Sequence, residues 1–218
     1  MIRTSTIFAV MSCCFVLLIG ASAEAGLLAV HPLAYNDGNG PAGGAWRGSS
    51  PFVNDGLSGT VDWAVFTASA FNSLPGLSGY TATAGELVYA HQIFTAGTLG
   101  ATQMDIVLAG NPAGDGGSFT ATGISGVSAF FAFADSVGAT WLLDAETDTL
   151  TPSEGLVYSS PNRPQLTGIP TLLDGGVSAA GSLPIGIPGP NPIPEPAAWF
   201  LASIATTIWF LFRGGRRG

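Results

Sequence analysis

Hydrophobic and polar positions alternate with a period of two over several short stretches of this chain, the pattern of half-buried strands. Residues 59–69 place Val61, Trp63 and Val65 on one face. Residues 86–94 place Leu87, Tyr89, His91 and Ile93 together, with Val88, Ala90, Gln92 and Phe94 opposite. Residues 103–110 alternate Met104, Ile106 and Leu108 with Asp105 and Val107. Strand-length apolar runs follow at 117–124, 127–134, 139–144 and 155–160, and 171–181 adds one or two more. Turn-forming clusters punctuate them: Asn36-Asp37-Gly38, Asn54-Asp55-Gly56, Asp115-Gly116-Gly117 and Asp174-Gly175-Gly176. No stretch between 26 and 190 sustains a 3.6-residue period with caps. The pattern predicts an all-β ectodomain over residues 26–183, an antiparallel β-sandwich of immunoglobulin-like or jelly-roll type. Gly-[Leu/Ile]-Ser-Gly recurs at 56–59, 76–79 and 123–126. Its serine lacks the Gly-x-Ser-x-Gly strand-to-helix setting of a nucleophile elbow, so the motif reads as a turn.

The two ends break this pattern. Near the start, Arg3 precedes an apolar run from Ile7 to Gly20, and Ala21-Ser22-Ala23 supplies a small-x-small cleavage pattern. Ala23-Glu24-Ala25 is a second such pattern. The run has 14 residues, and spanning a bilayer takes about 20. Residues 1–23 therefore read as a cleaved signal peptide, with Ala21 and Ala23 as its recognition residues, and an uncleaved anchor as the plainer alternative. Near the other end, residues 184–196 hold six prolines and read as an extended linker. Residues 197–212 are sixteen uncharged positions with Trp199 and Trp209 near the ends. A helix of that length reaches roughly 24 Å, a short transmembrane span with flanking anchors. Residues 213–218 form a basic tail with Arg213, Arg216 and Arg217, which the positive-inside rule leaves in the cytoplasm.

Pro194-Glu195-Pro196, one apolar helix and then Arg213, Arg216 and Arg217 resemble the PEP-CTERM sorting signal of bacterial exported proteins. The resemblance covers about the last 25 residues, and Gly214 and Gly215 interrupt its arginine cluster. It implies recognition by an exosortase after signal peptidase has acted, detachment from the membrane helix, and delivery to the cell surface or the exopolysaccharide matrix. Residues 57–66, 85–94, 103–110 and 155–164 are also similar to ectodomains found ahead of such signals.

Composition sharpens this picture. The chain has 218 residues, 31 of them Gly and 15 Pro, with 47% apolar and only 9% charged positions. Enough apolar material is present for a core, which excludes a disordered chain. From Glu24 to Glu195 two arginines face fourteen acids, a net charge of −12, which excludes nucleic acid as a partner. Cys13 and Cys14 lie inside the signal segment, so the mature chain has neither disulfide nor cysteine-bound zinc.

Three constellations are candidates for chemistry. Asp144, Glu146 and Asp148, with Glu154 beyond, are alternate carboxylates that suit calcium. The EF-hand positions fail at Thr149 and Gly155, and a solvated loop is the plainer reading. Trp46, beside Arg47 in a Gly-rich loop, is the candidate for stacking on a sugar, whereas Trp63 and Trp141 fall in strand patterns and read as core. His91 and Asp105 with a serine could be assembled into a triad on paper, but no spacing requires it and His91 reads as a packed, hydrogen-bonded histidine. The expectation is a non-catalytic exported protein without an obligatory cofactor. A glycan-binding module, calcium-assisted or not, is the alternative, followed by a secreted hydrolase.

Overall fold

The computed structural model describes residues 26–107, 115–135, 137–168, 170–174, 177–180 and 183–187. The expected signal peptide with Ala21 and Ala23, the expected span 197–212 and the expected sorting residues Pro194, Glu195, Pro196, Arg213, Arg216 and Arg217 lie outside them. Among the described residues no helix is long and apolar enough to cross a membrane.

The chain is mostly strand, and every named strand pair is antiparallel. One five-stranded sheet contains β3 (Arg47–Asn54), β4 (Leu57–Thr67), β5 (Leu87–Thr95), β10 (Gly155–Ser160) and β7 (Gly116–Phe119), in that order. A second has the order β13 (Val177–Ala180), β12 (Pro170–Asp174), β6 (Gln103–Val107), β9 (Gly138–Leu143), β8 (Ala129–Ala134). Two small ribbons complete the fold: β1 (Asn36–Gly40) with β2 (Gly44–Ala45), and β11 (Arg163–Gly168) with β14 (Leu183–Ile187).

The expected faces are the observed ones. Val61, Trp63 and Val65 of β4 and Leu87, Tyr89 and Ile93 of β5 share one buried cluster with Met104 and Ile106 of β6, Trp141 and Leu143 of β9, and Leu172 of β12. Both five-stranded sheets therefore contribute to a single core. Tyr89 and Tyr158 stack in it with ring centroids 4.8 Å apart. The opposite face of the first sheet is also closed. Ala64, Phe66, Val88, Ala90 and Val157 pack there against Leu28, Phe71, Leu74, Tyr80, Phe119 and Ile124.

Two single-turn helices help to close that face, α1 (Leu27–Val30) and α2 (Ala68–Asn72). Neither was expected, because one turn is too short to show a period. α2 ends the strand expected over 59–69: Thr67, the last residue paired with β5, is also the N-cap, its Oγ1 accepting the Ala70 N–H at 3.2 Å.

The turn expectations hold in part. Asp55 (φ 39°) and Gly56 (φ 91°) form the two-residue connection of the β3–β4 hairpin, where both central residues of a type I′ turn need positive φ. Asn36-Asp37-Gly38 is instead part of the irregular strand β1; its Asx bonds, Asn36 Oδ1 to the Gly38 N–H and Asp37 Oδ1 to the Asn39 N–H, are absorbed into a bulged ribbon. Gly116 and Gly117 open β7 rather than forming a turn. The second glycine of each Gly-[Leu/Ile]-Ser-Gly motif lies against a carbonyl: Gly59 against Phe94 O, Gly79 against Ser118 O, Gly126 against Pro152 O. All three have positive φ and no room for a Cβ.

One boundary is corrected. Residues 184–187, expected as the start of the linker, belong to β14, and the rest of the expected linker lies outside the described residues. Pro184 is accommodated where the β11–β14 register shifts, a place where no ladder N–H is required.

Candidate functional site

The carboxylates of Asp144, Glu146 and Asp148 are each engaged separately. Asp144 Oδ2 accepts the Ser128 hydroxyl. Glu146 Oε1 accepts the Gly100 N–H at 2.6 Å. Asp148 Oδ1 accepts the Leu150 and Thr151 N–H groups, both at 2.7 Å, and these bonds hold its carboxyl below the usual range. Thr147 anchors the loop from within, its Oγ1 accepting the Ala101 N–H at 2.9 Å. Glu146 and Asp148 border one cleft of about 280 Å³ together with Gly97–Gly100. Asp144 does not border it, and no group of three metal-ligating side chains occurs among the described residues. The loop is thus a set of backbone clasps, and the three calcium candidates do not converge.

Trp46 is corrected from a surface platform to a core residue. It is 6% exposed, and its Nε1 donates to Asp37 Oδ1 at 2.8 Å. The reason lies in pairing: the Trp46 N–H donates to Tyr35 O and its carbonyl accepts the Val65 N–H, so the Gly-rich loop is drawn onto the sheet. Partial burial pushes Asp37 up, but the Asn39 N–H and the Trp46 indole outweigh it and leave its carboxyl below the usual range. Arg47 is also committed, its Nη1 donating to Val30 O and His31 O at 2.6 and 2.7 Å. Trp63 and Trp141 are buried as expected, and Tyr80, Tyr89 and Tyr158 are buried as well.

His91 is fully buried, stacked on Tyr158 with centroids 6.0 Å apart and tilted against Trp141 at 6.2 Å. The expectation of a packed residue holds, but the expected hydrogen bonds are missing: neither ring nitrogen has a partner. Burial pushes its pKa down to about 3, and the adjacent Leu156 backbone offsets only part of this. Asp105 is occupied elsewhere, accepting from Thr140 Oγ1 and Gln103 Nε2, both at 2.7 Å. The structure does not bring the two together as a catalytic pair.

What the sequence reading missed lies on β8. Ala129, Ala132 and Ala134 pack against the core, while Phe130, Phe131 and Phe133 are 65%, 46% and 51% exposed. A register shift between Ala129 and Phe131 lets two consecutive phenylalanines face outward. Exposed Val107, at the end of β6, and Val137, just before β9, add to the apolar surface of this sheet. The run Ala-Phe-Phe-Ala-Phe-Ala contains no polar position, so its pattern could not show which side faces water. A second missed feature is the pair Asp62 and Gln92, which lie directly opposite one another on β4 and β5 and are 0% and 2% exposed.

Scans against protein-family models, curated proteins and solved structures gave no match to this chain.

Proposed function

We propose that this chain is an exported, non-catalytic protein of the cell surface or extracellular matrix, acting through interaction rather than turnover. The proposal includes sorting through the C-terminal PEP-CTERM-like signal, with recognition by an exosortase at Pro194, Glu195, Pro196 and the terminal arginines. In the precursor, residues 197–212 anchor the chain in the inner membrane. The structural observation that supports the interaction reading is the inverted packing of β8. Small alanines face the core and large phenylalanines face out, which forfeits burial free energy on the scale of about 1.5–3 kcal/mol for each large apolar side chain left in water. Such a surface suits contact with other matrix components.

We further infer a jelly-roll arrangement rather than an immunoglobulin-like one. Pairing in the central part of the chain is nested: β5 with β10, β6 with β9. The inner strands then pair outward, β7 with β10 and β8 with β9, while Gly116 of β7 lies against Ala134 of β8. This is a long ribbon rolled over two sheets. The glycan alternative loses its anchor with the burial of Trp46. Exopolysaccharide is retained only as a matrix component that the Phe130–Phe133 surface could touch.

Intact mass of the protein from cells and from medium tests the sorting reading. Loss of both the signal peptide and the terminal arginines is the expected result. A mature form that keeps Arg216 and Arg217 would contradict processing and leave a plain single-span anchor.

A further inference from the structure

Among the described residues Asp62 is the carboxylate most completely buried, and no cationic side chain pairs with it. Its side chain is 0% exposed on the outer face of the first sheet. Burial pushes its pKa up, while Ser49, directly across the β3–β4 pair, and the Gly26 N–H pull it back only in part. No cationic side chain among the described residues contributes to its charge balance. Oδ2 accepts the Gly26 N–H, and Oδ1 has no hydrogen-bond partner. An ionised carboxylate in such a place is costly unless a positive group reaches it.

A second acceptor is left over beside it. Gln92 Nε2 donates to Ser125 O at 3.2 Å and to Ser153 O at 2.9 Å, which fixes the orientation of the amide. Its Oε1 is buried without a partner. Gly26 and Gln92 line the same cleft of about 400 Å³. Two buried acceptors, Asp62 Oδ1 and Gln92 Oε1, therefore stand unmet on paired residues of β4 and β5, and the backbone nitrogen of Gly26, already bonded to Asp62 Oδ2, carries one hydrogen as an amide. The same nitrogen carries three as an ammonium.

The sequence supplies the route. Ala23-Glu24-Ala25 ends one residue before Gly26 and has the small-x-small form that signal peptidase reads. We propose that processing cuts between Ala25 and Gly26, and that the new α-ammonium of Gly26 forms a buried ion pair with Asp62. In the cut one water is consumed. Its oxygen joins the Ala25 carbonyl carbon, the C–N bond to Gly26 breaks, and the protons pass to the released amine, leaving a carboxylate on the leader and an ammonium on the mature chain. Glycine gives the tightest approach at the new terminus: a Cβ there would stand 2.8 Å from Asp62 Oδ2 and closer still to the Phe94 ring, so those side chains would have to shift. The inference rests on the export reading and replaces the first-choice cut after Ala23.

The chain contains no lysine, so its α-amine is its only primary amine. The exported protein from cells expressing the full-length chain is identified by its N-terminal peptide and then treated with an acetylating reagent, with intact mass as the readout. A chain starting at Gly26 is expected, acetylated about tenfold or more slowly when folded than in urea. Asp62→Asn is expected to restore fast acetylation in the folded state. An exported chain starting at Glu24, or equal rates folded and unfolded, would overturn the pairing and leave export standing. A chain found only in the cytosol and still starting at Met1 would overturn export and the pairing together, whereas an exported chain starting at Met1 would overturn the pairing alone.

Discussion

The central strands of the first sheet, β4, β5 and β10, are buried on both faces, whereas β8 and β9 of the second are covered on one. Over β4 the residues from Val61 to Phe66 are all buried, as are those from Leu87 to Ile93 on β5 and all of β10. Over β9 buried and half-buried positions alternate, and over β8 none of the six residues is fully buried. Both sheets face the same core. What separates them is the cover on the outer side, where α1, α2 and the segments carrying Leu74, Tyr80 and Ile124 lie over the first sheet. Burial on both faces makes the first sheet the stable frame. The second keeps an outward apolar surface that can meet a partner, and polar residues on the first sheet's hidden side, Asp62 and Gln92, become expensive enough to demand specific partners.

This contrast is sharpest in one pair of substitutions. Phe66→Ala, on the covered face of β4, is expected to cost about 3–5 kcal/mol of unfolding free energy by urea titration. If it cost no more than Phe131→Ala on the outer face of β8, the difference between the sheets would be illusory.

A pH titration probes the core between them. His91 is neutral in the fold, with its pKa lowered to about 3, and takes up a proton near 6.5 when unfolded. The unfolded chain thus binds more protons than the native one between these values. The contribution is full above pH 6.5 and is lost as pH falls toward 3, amounting to about 3 kcal/mol between pH 6.5 and pH 4. His91→Phe should flatten this part of the wild-type stability curve. His31, whose pKa is lowered first by burial and then by Arg47, titrates in both proteins and cancels in the comparison.

Smaller effects test the cover and the open face. Thr67→Ala removes the α2 cap and should lower stability by about 1 kcal/mol by the same titration. Phe131→Ser should change stability by less than about 0.5 kcal/mol. The same variant should reduce retention in the matrix fraction, measured by fractionating cells and medium. A large loss of stability with unchanged retention would mean that the β8 phenylalanines serve the fold and not a partner.

Much of the frame was legible because its causes are local. Period-two patterning placed Val61, Trp63 and Val65 on one face, and Asn54-Asp55-Gly56 marked the hairpin that follows β3, since only a few residue types accept positive φ. The helix α2 was hidden in the tail of a strand pattern, and β14 in a proline-rich stretch. The glycan and calcium candidates failed for a different reason. Residue type advertised an indole and three carboxylates, but Trp46, Glu146 and Asp144 are engaged by Asp37, Gly100 and Ser128 from other segments, while Asp148 is held within its own loop by the Leu150 and Thr151 N–H groups.

By itself the sequence determined the strand character of the described residues and the faces of the central strands β4 and β5, because side-chain alternation is a property of neighbours along the backbone. Tertiary structure alone decided that Trp46 is inside, that the phenylalanines of β8 are outside, and that Asp62 meets Gly26. Those outcomes depend on which distant segment covers which face, and burial is a property of the assembled sheets, to which no local pattern has access.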